Sequence, residues 1–95
     1  MVVKPAVTAI PLRVIATGTV ANGAREIVSI HYVNTTGGAG RVDISEVGGA
    51  ANEGVTLSSD AANGNDAWEP AQPARFKGIV VTFTTGTGVV IIQAN

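Results

Sequence analysis

Two stretches of the chain alternate apolar and polar side chains with a period of two. Leu12, Val14, Ala16, Gly18 and Val20 oppose Arg13, Ile15, Thr17 and Thr19; Ile79, Val81 and Phe83 oppose Val80, Thr82 and Thr84. A period of two puts successive side chains on opposite faces of an extended strand, whereas a helix needs apolar positions three and four apart. The same preference runs through the whole chain. β-Branched residues fill 32 of the 95 positions (14 Val, 8 Ile and 10 Thr), against only 2 Leu. These side chains lose rotamer freedom in a helix and pack well on a pleated surface. The chain is expected to be all-β.

Turn residues divide the chain into short strands. Asn22-Gly23 follows the run from Leu12 to Val20 and precedes Arg25 to Asn34. This dipeptide is the strongest short-range hairpin signal, so the two runs are expected to pair around a type I′ turn. Thr35 to Gly40 makes a flexible turn, Arg41 to Val47 a strand with Arg41, Asp43 and Ser45 outward, and Val55 to Ser58 a brief strand. The polar loop from Asp60 to Asp66 holds a second Asn-Gly, Asn63-Gly64, with Trp68 just beyond it as a lid on the core or an exposed contact aromatic. The last strands are Gly78 to Thr84 and Val89 to Gln93.

The spacing of turns, every 8–12 residues, predicts one antiparallel β-sandwich or jelly-roll-like domain of seven to eight short strands over residues 12–95. A chain of this length buries roughly 63% of its surface on folding, enough for a single core. Residues 1–11 carry Pro5 and Pro11 and read as an extended N-terminal arm. The closing run Val89-Val90-Ile91-Ile92 has no polar face, so its second side is expected to be covered by the chain's own core or by another subunit.

Chemistry is sparse. The chain has no Cys, one His, one Trp and one Tyr. His31 lies between Ile30 and Tyr32, with no nucleophile or metal partner at a recognisable spacing. Asp60, Asn63, Asn65 and Asp66 offer oxygens but match no defined calcium loop. The Gly-rich turns at 37–40 and 85–88 open no helix and so lack the anion-binding end of a phosphate loop. A formal net charge of −1 with 14% charged residues argues against nucleic acid and anionic membranes as partners. No enzymatic activity, cofactor or metal is expected. Asn34-Thr35-Thr36 fits the glycosylation sequon but reads as a polar strand end. No apolar run of signal-peptide length follows Met1, so secretion by the general route is not expected.

The order Tyr32-Val33-Asn34-Thr35-Thr36-Gly37-Gly38-Ala39-Gly40-Arg41-Val42-Asp43-Ile44, then Leu57, a polar loop, Arg75-Phe76-Lys77-Gly78-Ile79-Val80-Val81-Thr82 and the closing Val89 to Ile92, resembles small phage virion β-sandwich proteins of the capsid decoration or knob type. The resemblance covers residues 12–93 and rests on strand spacing and turn residues. It implies a capsid decoration or cement subunit on the virion exterior, homo-oligomeric and often trimeric, bound to the major capsid protein or another virion protein. A tail, neck or fibre component is the alternative, and a surface carbohydrate-recognition module, built on Trp68 and the Asp60–Asp66 loop, is the second. Candidate partner-binding residues are Val2, Val3, Val7 and Ile10 in the arm, Val90 and Ile92 (or Val89 and Ile91) on the closing strand, and Trp68.

Overall fold

The computed structural model describes residues 10–49, 54–61 and 63–94, and every regular element among them is a β-strand. In chain order these are β1 (Ile10–Val14), β2 (Gly18–Ala21), β3 (Arg25–Asn34), β4 (Gly40–Ser45), β5 (Val55–Ser59), β6 (Asn65–Trp68), β7 (Ala74–Phe76), β8 (Ile79–Thr85) and β9 (Gly88–Ala94). They form two antiparallel sheets. Sheet A runs β1-β9-β3-β6, with β7 also paired to β3; sheet B runs β2-β8-β4-β5.

The expected hairpin at Asn22-Gly23 does not form. β2 pairs β8 in sheet B while β3 pairs β9, β6 and β7 in sheet A, so the turn carries the chain from one sheet to the other. Neither Asn22 nor Gly23 has positive φ, which a type I′ turn requires at both central positions. The long alternating run from Leu12 to Val20 is likewise two strands, broken at Ile15-Ala16-Thr17, with β1 in one sheet and β2 in the other. Alternation fixes which side chains point inward, but a strand that crosses to the facing sheet keeps that alternation.

The strand count is nine because of this break and because residues 65–76 supply two short strands along one edge. β6 pairs Ile30 to Val33 of β3, and β7 pairs Arg25 to Ile27. Between them lie Pro70 and Pro73, which have no N–H to give a ladder. Pro11 sits in β1, an edge strand whose one partner is β9, where the missing donor costs no pairing on its free side.

The inward faces meet in one core. Ile27, Ile30, Tyr32, Val90 and Ile92 from sheet A face Val42, Ile44, Leu57, Ile79 and Val81 from sheet B. A bulge in β3 between Ile27 and Ser29 lets Ile27, Ile30 and Tyr32 all point inward. Tyr32 is fully buried beneath Gly40 and Gly88; a Cβ on Gly40 would strike the Tyr32 hydroxyl, and one on Gly88 its ring. Burial raises the pKa of Tyr32 by desolvation of the phenolate.

Candidate functional site

One end of the sandwich is held by Asn34, the last residue of β3. Its buried side-chain amide donates to the carbonyls of Gly38 at 2.7 Å, Ala61 at 3.2 Å and Ser59 at 3.4 Å, while its Oδ1 accepts from the Thr36 N–H at 2.9 Å. Its own N–H donates to the Gly64 carbonyl. Thr36 then reaches the β8–β9 turn: its hydroxyl accepts from the Thr87 N–H and donates to the Thr87 carbonyl. Three connections are thereby clasped together. Asn34 is fully buried with its amide committed, so the sequon is closed in the folded chain.

Within the Asp60–Asp66 loop, the Asp66 carboxylate accepts from the N–H groups of Ser58 and Ala67. Asn63 takes φ 59° to turn the chain. Among the described residues no three His, Cys, Asp or Glu side chains gather as a metal site would need. The Asp66 oxygens are thus used to fold the loop.

The expected contact residues fall in three places. Val2, Val3 and Val7 lie outside the described residues, and Ile10 is the first residue of β1, opposite Ala94. Val90 and Ile92 are fully buried, pointing into the core from a strand central in sheet A. Their side chains offer no surface to a partner, because β9 points alternate residues inward and it is Val89, Ile91 and Gln93 that face out. Trp68 is half-buried, packs on the core and meets Phe76 at 6.4 Å between ring centres, tilted by 56°. It lies as a lid over the β6–β7 edge.

The two outer faces differ in chemistry. On sheet B the outward residues include Thr19, Arg41, Asp43, Ser45, Thr56, Ser58, Val80, Thr82 and Thr84, with one apolar side chain among nine. Asp43 and Ser45 point outward as expected, yet both are buried by their neighbours. Thr56 donates its hydroxyl to the Asp43 carboxylate, and Arg41 lies 3.5 Å from it. Sheet A presents Pro11, Val33, Ala67 and the half-buried Val89 and Ile91 among Arg13, Ser29, His31, Asn65 and Gln93, and Ile15 follows the end of β1. Ile15 is 60% exposed and Val33 42%; the other large apolar side chain this open among the described residues is Val47, at 40%.

Period-two alternation puts Arg13 with Ile15 on one face of the first run and, in the run from Arg25 to Asn34, Ser29 with His31 and Val33; that was the available signal for this surface. It could not show that the two faces belong to one sheet, because the pairing of β1 and β3 across β9 is long-range. The Asn34 contacts with Thr36 and Gly38 are local, but its reach to Ser59 and Ala61, 25 and 27 residues away, left no local signal.

Compared with known proteins, the chain matches no family model, no curated protein and no solved structure.

Proposed function

We propose that this chain is a non-catalytic virion structural protein, a capsid decoration or cement subunit that acts as an oligomer on the exterior of the shell. The observation that carries this reading is the contrast between the outer faces: one is covered in hydroxyls and suited to water, the other exposes Val33, with half-buried Val89 and Ile91 beside it and exposed Ile15 just past β1. A plate with one wet side and one apolar side is built to lie against something.

The strand order agrees. Counting β6 and β7 as one interrupted strand, the sheets run 1-8-3-6 and 2-7-4-5. This interleaved order is that of the jelly roll, an architecture found in viral capsid domains, lectins and cupins. Fold alone does not select among them. Against the lectin reading, Trp68 packs on Phe76 and the Asp66 oxygens are taken by backbone N–H groups.

Contact with the shell, through the major capsid protein or another virion protein, would use main-chain pairing at strand edges together with the apolar side chains of the N-terminal arm. Among the described residues each sheet has edge strands with an unpaired side, and the Val-rich segment before Ile10 can add to a neighbour's edge. Quantitative mass spectrometry of purified particles from the virus that encodes the chain tests the reading. Hundreds of copies per particle are expected. Tens or fewer would assign it to a tail, neck or fibre, and absence from particles would overturn a virion role.

A further inference from the structure

The outward side chains of sheet A lie in rows set by the strand register. One row crosses the sheet as Arg13, Ile91, His31 and Ala67, from β1 through β9 and β3 to β6. The next holds Val89, Val33 and Asn65, with Ile15 following Val14 at its β1 end. Charge is divided between the edges. Arg13, on the β1 edge, has no ion-pair partner among the described residues. Glu69, just past β6 at the opposite edge, reaches back to the His31 row, its carboxylate 3.4 Å from His31 Nε2 and two-thirds exposed.

We infer that this face binds a second copy of the same chain, face to face, about a two-fold axis that runs along the strands between β9 and β3. Such an axis lays β1 of each copy over β6 of the other and β9 over β3. Arg13 then faces Glu69 of the second copy, twice per dimer, and Val89 faces Val33 of the second copy. An in-plane axis across the strands would instead lay β1 on β1 and bring Arg13 towards its own duplicate, so the charges select the first arrangement.

The apolar residues select a two-fold over a ring. A three-fold ring closes through two different patches, whereas a two-fold uses one patch against itself. Among the described residues, the sheet A face carries exposed Val33 with half-buried Val89 and Ile91, and exposed Ile15 follows β1; the sheet B face has half-buried Val80 alone, and Val47 stands apart beyond β4. Among the described residues the patch has no apolar counterpart except itself. This departs from the trimer that the virion resemblance implies. It rests on the oligomeric part of the proposed function only, since particle association is read separately by copy number.

The test is solution mass by light scattering over a wide range of concentration, on the full chain. Twice the 9.6 kDa chain mass is expected at high concentration. Val33→Glu and Ile15→Glu, at positions already open in the single chain, should leave the circular dichroism unchanged and give a monomer. Arg13→Glu should raise the dimer dissociation constant about tenfold, and the double exchange Arg13→Glu with Glu69→Arg should restore it. A monomer at every concentration, a trimer, or a dimer indifferent to Val33→Glu would each overturn the inference. Failure of the double exchange to rescue would overturn the assigned axis.

Discussion

The side-chain amide of Asn34, at the end of β3, donates to the carbonyl of Ala61, 27 residues further along the chain, at 3.2 Å. With Gly38 and Ser59 as further acceptors, one buried side chain joins connections from both sheets. Replacing it by Ala leaves several carbonyls and the Thr36 N–H without a partner. Asn34→Ala is expected to cost about 2–3 kcal/mol, or about 10 °C in melting temperature. Asn34→Asp should cost more, because its carboxylate can donate to none of these carbonyls. Thermal unfolding checks both; a loss under 0.5 kcal/mol would mean that the three connections hold without the clasp.

A Cβ on Gly40 or Gly88 would strike the core, since both lie against Tyr32. Gly40→Ala and Gly88→Ala should each destabilise by about 2 kcal/mol or more through displaced aromatic packing. Gly37 provides the control. A Cβ there meets nothing within 4 Å and its φ is not positive, so Gly37→Ala should change stability by less than about 0.5 kcal/mol.

Tyr32 is the sole tyrosine, so its ionisation can be followed directly by ultraviolet absorbance. Burial raises its pKa in the folded chain above the ordinary value of about 10. The folded state therefore holds the phenolic proton more tightly than the unfolded chain does. Stability from this group is full below about pH 10 and is lost as pH rises through the raised folded value. Alkaline unfolding and phenolate absorbance should appear together. Tyr32→Phe should remove this alkaline transition. It should also be neutral or stabilising by up to about 1 kcal/mol at pH 7, because the hydroxyl has no hydrogen-bond partner among the described residues.

Deleting residues 2–9 removes Val2, Val3 and Val7 but leaves β1 whole from Ile10. Under the proposed function the shortened chain keeps its melting temperature within a few degrees and loses binding to particles. Unchanged occupancy on particles would take the arm out of the contact.

The strands themselves were legible in the sequence because period-two alternation and β-branched side chains are local. The inward residues Val14, Val42, Ile44, Ile79 and Val81 follow directly from it. The partners of each strand were not legible. Asn22-Gly23 carries a hairpin signature yet links two sheets, because β8 competes successfully for β2 and β9 for β3. The closing strand shows the same limit: its unbroken apolar run announces two covered faces, but only the register shows that Val90 and Ile92 point inward while Val89 and Ile91 face out. The candidate surface was therefore half visible, as pairs of residues on a face, with nothing to bring those faces together.

The central claim is that the outer face of sheet A is a contact surface and that of sheet B is not. Because the chain contains no cysteine, a single thiol can be placed on either face and its labelling rate measured as the protein is concentrated. Val33→Cys reports on sheet A and Ser58→Cys, exposed on β5, on sheet B. The account predicts that labelling at position 33 slows severalfold as concentration rises while labelling at position 58 stays constant. Equal, unchanging rates at both positions, or protection of position 58 instead, would contradict it.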